Sequence, residues 1–129
     1  MGELRKTEDS YRIAIALNSQ EPSYYTTLAS LLKKENPAEL TEPVRLLEKA
    51  LALNPSDQEG KLLLASRFEQ EGKLAATQEL LAEVVRRQPD SRNAHAALAR
   101  VYFREKRVDD AKQQESIAAK LEADKLYHM

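Results

Sequence analysis

Arg100 and Arg104 are the residues whose types and spacing most clearly suggest a chemical role. They are four positions apart, so on a helix their side chains lie one turn apart on the same face. Two guanidinium groups in that arrangement can donate hydrogen bonds to one carboxylate, and Phe103 beside them could act as an apolar anchor. The pattern favours recognition of an acidic group over covalent chemistry. The alternative is an ordinary solvated face with no ligand.

Side chains typical of catalysis or metal binding are few and scattered. The sequence has two histidines, His95 and His128, and no cysteine, which excludes disulfides, thiolate catalysis and cysteine-based zinc sites. We expect His95 to be a packed side chain rather than a ligand. Neither a converging His or carboxylate cluster nor a glycine-rich phosphate loop is visible in the sequence. We therefore expect no enzymatic activity, no metal and no cofactor.

The balance of charge bears on the class of partner. Twenty Lys and Arg face 21 Asp and Glu, which gives a net charge of −1 and no long-range field that would attract nucleic acid. The apolar runs IAIAL and LLLA are much shorter than the roughly 20 residues of a membrane span. The charged first ten residues are unlike a signal peptide. These features predict a soluble protein without a membrane span, and favour a cytoplasmic over a periplasmic location.

The elements that must position these side chains are predicted to be helices. Ala, Leu, Glu, Lys, Gln and Arg dominate, and apolar residues recur three or four positions apart. Ser56 with Glu59 three positions later predicts a capping box, and Ser91 directly after Pro89 and Asp90 predicts a second helix start.

The segment KKENPAELTEPV, from Lys33 to Val44, predicts an irregular connection. It contains Pro37 and Pro43, and proline lacks the N–H that a helix interior needs but suits a first turn. We expect a loose connection near 36–40 and a helix start near Thr41. A partner-specific loop is the functional alternative to a neutral insertion.

The chain repeats itself at an interval of thirty-four residues. Leu64-Ala65 falls on Leu98-Ala99, and Phe68 falls on Tyr102. An earlier copy matches after a two-residue insertion, with Leu28-Ala29 at the same place. The alignment predicts three units, and before them a helix that matches the second half of a unit whose first half is missing. The predicted boundaries are 4–19 for this helix and 22–57, 58–91 and 92–127 for the three units.

This unit resembles the tetratricopeptide repeat. The second copy carries the pattern at Leu64, Ala65, Phe68, Gly72, Thr77, Leu81, Val84 and Pro89. The third copy carries it at Leu98, Ala99, Tyr102, Lys106, Ala111 and Ala118, with Ala123 where proline is expected. The resemblance implies an all-α, right-handed α-solenoid of about seven antiparallel helices. Its unpaired first helix favours a fragment of a larger protein over a small complete one.

The resemblance also implies a binding surface. In the family, the first helices of successive repeats line a concave groove that holds an extended peptide or a partner helix. The matching positions of this sequence are Thr26, Ser30, Lys33, Lys34, Glu59, Leu63, Ser66, Glu69, Gln70, Asn93, Ala97, Arg100, Phe103 and Arg104. The positions at which chaperone-binding members carry Lys, Asn and Arg hold Thr26, Ser30, Leu63, Asn93 and Ala97 here. A chaperone co-factor role is therefore not expected.

The sequence leaves three functions from different classes open. The first is a scaffold that binds a protein or peptide in the groove. The second is a self-association module that forms a homo-oligomer through exposed apolar residues of its terminal helices, including Ile13, Ile15 and Leu17. The third is RNA binding by a helical array like the pentatricopeptide proteins, which the balanced charge opposes. The sequence favours the first.

Overall fold

The computed structural model describes residues 2–127, and in that range the chain forms seven helices and no strand. They are α1 (Gly2–Leu17), α2 (Pro22–Glu35), α3 (Thr41–Leu53), α4 (Gln58–Gln70), α5 (Leu74–Arg87), α6 (Arg92–Arg104) and α7 (Val108–Tyr127). The predicted all-α class is confirmed. His128, the second histidine of the chain, lies outside the described residues.

The chain divides into two compact units. The first unit is Met1–Arg67 and the second is Phe68–Met129, so the division falls inside α4. In the first unit α2 packs against both α1 and α3. In the second unit α6 packs against both α5 and α7. In each unit a helix that carries predicted ligand-binding positions lies between two supporting helices.

The helix starts follow mostly from proline and capping residues. Pro22 is the first residue of α2, where its missing N–H costs nothing. The irregular connection predicted near 36–40 separates α2 from α3, which begins at Thr41 as expected. Ser91 caps α6, and its hydroxyl oxygen accepts a hydrogen bond of 3.2 Å from the N–H of Ala94.

The capping box predicted at Ser56 is wrong. The hydroxyl of Ser56 donates to the side chain of Asn54 instead. Helix α4 begins at Gln58, one residue later than the prediction requires, so Asp57 occupies the capping position. Its carboxylate accepts a 3.0 Å hydrogen bond from the N–H of Gly60. A carboxylate is also favoured there over a hydroxyl because its charge complements the helix dipole.

Helix α1 ends earlier than the predicted range 4–19 implies. Its last residue is Leu17, and the N–H of Asn18 still donates to the carbonyl of Ala14 at 2.8 Å. The side-chain oxygen of Asn18 then accepts from the N–H of Gln20, which turns the chain away from the helix. The repeat boundaries stay predictions.

The core forms where the repeat pattern places small and apolar residues. Ala29, Ala65 and Ala99 are only 4%, 2% and 2% exposed. Small residues at these places allow neighbouring helices to approach closely. Leu64 and Leu98, one position earlier in the pattern, are buried with them. The phase assigned to the repeat from the sequence is therefore the phase of the core.

His95 is a packed side chain, as predicted. It is buried, and its Nε2 donates to the carbonyl of Pro89 at 2.8 Å. Its Nδ1 lies 2.6 Å from the side-chain oxygen of Gln114 on α7. The ring therefore ties α6 to the preceding loop and to the next helix, which accounts for a histidine at this buried position.

The turns before α5 and before α7 in the second unit share an unusual backbone conformation. Gly72 has a φ of 78°, and Lys106, thirty-four positions later, has a φ of 64°. Glycine adopts this left-handed region freely, whereas a residue with a side chain is strained there by about 1 kcal/mol. The same left-handed turn is thus formed by glycine at position 72, which favours it, and by lysine at position 106, which does not.

Candidate functional site

Helices α2 and α4 of the first unit bring four of the predicted positions around one depression. Thr26 and Ser30 of α2 and Glu59 and Leu63 of α4 line an open space of about 200 Å³. The two α2 hydroxyls lie one turn apart, and each donates to a carbonyl of its own helix at 3.1 Å. Their oxygen lone pairs are left to accept hydrogen bonds, beside the apolar side chain of Leu63.

A smaller cavity of about 20 Å³ adjoins this depression, since Ser30 and Leu63 line both. Lys33 and Arg67 add two cations to its lining. A space of this size holds roughly one water-sized group. Lys33, which the sequence also predicted, therefore lies next to the predicted positions Ser30 and Leu63 of the same unit.

Arg67 is the residue of this cavity that sequence reasoning missed. It is only 6% exposed, and it donates a hydrogen bond to the Ser66 hydroxyl at 3.1 Å. Burial lowers the pKa of Arg67, but a guanidinium remains charged at neutral pH. The repeat alignment does contain a signal, because the matching positions hold Leu31 and Val101. A cation at an otherwise apolar position could have been singled out.

In the second unit the predicted arginine pair already holds a carboxylate. Arg100 Nη2 and Nε donate to the two carboxylate oxygens of Glu69 at 3.1 and 3.3 Å. Arg104 Nη1 donates to the backbone carbonyl of Glu69 at 3.1 Å and lies 3.9 Å from its carboxylate. Only Arg100 therefore makes the bidentate contact with a carboxylate, Arg104 binds the backbone carbonyl instead, and the shared partner Glu69 is part of the chain. An acidic ligand would have to displace Glu69 from both arginines.

Among the other predicted positions, Ser66 contacts the first group by accepting the hydrogen bond of Arg67. Phe103 is 41% exposed, and Ala97 is half-buried. Asn93 lines a different depression, formed with residues of α7, and accepts a hydrogen bond from Arg92. Lys34 and Gln70 are exposed. The position of a residue in the repeat thus predicts which helix it lies on, but not whether its side chain lines a candidate site.

A second charged cluster lies where α1 packs on α2. Glu8 is 6% exposed, and its Oε1 is buried without a hydrogen-bond partner. The neighbouring carboxylate of Glu35 raises the pKa of Glu8, first through a hydrogen bond that requires a proton and then through burial and charge repulsion. Arg12 donates to both oxygens of Glu42 at 2.8 and 3.0 Å and lowers the pKa of that carboxyl.

Two further features are absent from residues 2–127. No group of three His, Asp or Glu side chains there is arranged to hold a metal ion. None of the described helices combines the length and the apolar character that crossing a membrane requires.

Comparisons with known proteins add a family and a fold. Residues 69–128 match the family model described as tetratricopeptide repeat. A comparison with curated proteins finds no significant match.

Solved structures resemble nearly the whole chain. A crystal structure of MamA has a TM-score of 0.87 at 17% identity, over 96% of this chain and 71% of MamA. "MamA 41-end" from Desulfovibrio magneticus RS-1 has a TM-score of 0.84 at 17% identity, over 95% and 68%. YrrB, described as a TPR protein with an unusual peptide-binding site, has a TM-score of 0.82 at 19% identity, over 95% and 62%.

At these identities the structural likeness shows the fold alone, which is the all-α helical-repeat class that the sequence predicted. The family model adds the repeat type, and its match lies within the second unit. The sequence match thus identifies a tetratricopeptide repeat in residues 69–128, and the likeness to solved structures shows the helical-repeat fold over nearly the whole chain.

Proposed function

We propose that this chain is a non-catalytic interaction module that binds a peptide or a partner helix on the exposed face formed by α2 and α4. The observation that carries the proposal is the depression of about 200 Å³ lined by Thr26, Ser30, Glu59 and Leu63. Repeat phase in the sequence selects all four of these residues independently. YrrB, which shares the fold, is described as having an unusual peptide-binding site, and this likeness supports the proposal.

The chemistry of this face suits a polypeptide better than a small metabolite. Hydroxyl oxygens can accept hydrogen bonds from backbone N–H groups, and Leu63 offers an apolar contact beside them. Arg100, Phe103 and Arg104 on α6 stay predicted ligand contacts of the second unit. Nucleic acid is a poor alternative because the net charge is −1. That the chain is a module of a larger protein stays a prediction.

The direct test fills the depression without touching the core. Ser30→Arg places a long side chain in the space, and Ser10→Arg on α1 is a matched control. Both serines are exposed, and each donates its hydroxyl to the carbonyl four residues earlier. Binding to a pool of fluorescent random nonapeptides is measured by polarisation. We expect saturable binding by the wild type and the Ser10 variant and its loss in the Ser30 variant. Equal binding by all three proteins would show that the site is wrong.

A second candidate function is self-association, and one observation favours it. Ile13 and Leu17 lie one turn apart on α1 and are 61% and 83% exposed. Ile15, which the sequence grouped with them, is half-buried and does not belong to this patch. Light scattering over a concentration series tests the proposal. A mass that doubles with concentration and returns to the monomer value in Leu17→Glu supports it, and a monomer throughout rules it out.

A further inference from the structure

Arg67 combines burial with a lack of charge compensation. It is more than nine-tenths buried, and no carboxylate within residues 2–127 lies within ion-pair distance of it. The Ser66 hydroxyl supplies one neutral hydrogen-bond acceptor for a group that has five N–H donors. Enclosing a charge with so few partners is costly unless a further partner is supplied.

The cavity beside Arg67 shows where such a partner would enter. Lys33, also without an ion pair in the described range, lines the same space of about 20 Å³. Ser30 provides a hydroxyl there, and Leu47 provides an apolar wall. Two cations, a hydroxyl and an apolar wall around a space for one small group match a carboxylate oxygen in charge and in size.

The two ends of the α2–α4 face differ in charge. The small cavity carries Lys33 and Arg67, whereas the larger depression carries Asp57 and Glu59. Ser30 belongs to both, so the change of sign occurs along one continuous surface. A ligand with separated charges would be held in one direction only, with its acidic group at the cavity.

We propose that Arg67 and Lys33 form a subsite for a carboxylate, either an Asp or Glu side chain or the C-terminus of a peptide held on the α2–α4 face. The part of this inference that concerns a peptide rests on the proposed function. The part that concerns binding of a carboxylate alone does not. It differs from the predicted arginine fork because Arg100 and Arg104 already contact Glu69.

The test compares nonapeptide pools that carry a fixed Glu or a fixed Gln, with free and with amidated C-termini. Affinities are measured by fluorescence polarisation for the wild type, Arg67→Met, Lys33→Met and the control Lys34→Met. Lys34 is exposed, is adjacent in sequence and does not line the cavity. Methionine keeps an unbranched apolar stem like that of both cations while removing the charge.

We expect the wild type to bind the Glu pool, or the free C-terminus, about tenfold more tightly than its neutral counterpart, as one charge-assisted contact provides. Arg67→Met should remove this preference, Lys33→Met should reduce it, and Lys34→Met should keep it. If the preference appears between the Glu and Gln pools, the carboxylate is a side chain. If it appears between the free and amidated pools, the carboxylate is the peptide C-terminus. Peptide binding with no preference for either carboxylate would overturn the subsite and leave the proposed function standing.

A second measurement works even without peptide binding. The Arg67 Nε–Hε resonance is followed by NMR during addition of sodium acetate, with sodium chloride at equal ionic strength as the control. A saturable shift with acetate alone supports the subsite, even if no nonapeptide binds and the proposed function fails. Equal responses to the two salts would overturn it. An Arg67→Met melting temperature clearly below that of the wild type would also count against it, because it would make Arg67 a structural residue.

Discussion

The cations of the two units are held in opposite ways. In the first unit Arg67 is 6% exposed and has no carboxylate partner among the described residues. In the second unit the side chains of Arg100 and Arg104 are 60% and 47% exposed, yet both contact Glu69. The enclosed charge therefore lacks a carboxylate partner, whereas the two exposed charges share the single carboxylate of Glu69. Exposure alone is a poor guide to where an anion binds.

The difference also changes the energy of ligand binding. A ligand carboxylate at Arg100 must replace Glu69, so the gain is reduced by the contact that is lost. At Arg67 the burial of the guanidinium has already been completed during folding, so an incoming carboxylate loses no protein contact. The same ligand group should thus gain more in the first unit than in the second.

The largest expected effect tests how tightly the buried side of α4 is packed around Arg67. Loose packing there would let a buried charge be tolerated without a partner. Leu64, one turn before Arg67, is 5% exposed. Leu64→Asp places a carboxylate among apolar groups and should cost at least about 4 kcal/mol of unfolding free energy, enough to unfold a marginal domain. Circular dichroism and thermal melting measure this. If Leu64→Asp keeps the helicity and the melting temperature of the wild type, the packing around α4 is loose. The burial of Arg67 would then not distinguish it from the exposed arginines of the second unit.

The next effect tests the pairing in the second unit. Arg100→Glu with Arg104→Glu should lower the free energy of unfolding by about 1–2 kcal/mol, because attraction to Glu69 becomes repulsion. Adding Glu69→Arg restores opposite charges and should recover most of the loss in chemical denaturation. If the triple variant is no more stable than the double variant, Glu69 does not pair with these arginines in solution.

One substitution made in both units should give effects of opposite sign. Arg67→Met removes an enclosed charge without a carboxylate partner and should raise the free energy of unfolding by about 1 kcal/mol. Arg100→Met removes one member of an exposed pair and should lower it by up to about 1 kcal/mol. Urea denaturation of both variants measures the difference. Changes of the same sign would erase the contrast between the units.

The smallest effect concerns the buried carboxyl of the first unit and depends on pH. The folded-state pKa of Glu8 is raised, so its contribution to stability is present below its unfolded pKa and is lost as pH rises through the folded value. Glu8→Gln imitates the protonated form. It should therefore raise the melting temperature at pH 7, and this gain should shrink near about pH 4. The lowered pKa of Glu42 weakens both proteins in acid and cancels in the comparison. A gain independent of pH would contradict this account.

The fold was predictable because its signals are local and repeated. Ala65 and Ala99 are buried where the thirty-four-residue pattern places small residues, and the helix at Thr41 begins where proline spacing predicts it. The cap of α4 was mistaken because Ser56 and Asp57 both suit a capping position. The choice between them depends on a one-residue difference in helix start that a single sequence does not determine.

The site was only partly predictable because it depends on contacts between helices. The spacing of Arg100 and Arg104 places both arginines on one face of α6. Glu69 lies 31 positions before Arg100 in the chain, and only the packing of the helices shows that it contacts both. Arg67 was missed because repeat phase assigns its position to the core. The contrast with Leu31 and Val101 at the matching positions distinguishes Arg67, but its place beside Lys33 follows only from the packing of the helices.

The left-handed turn at Lys106 has a practical consequence for measurements on the binding face. Its backbone keeps the conformation that glycine adopts at the matching place, which means that packing of the flanking helices imposes the turn on a residue that resists it. Lys106 is exposed and forms no part of the proposed binding face. A cysteine there would be the only thiol in the chain, so a fluorophore could be attached at one known point, at the tip of a hairpin, without disturbing the surface under study.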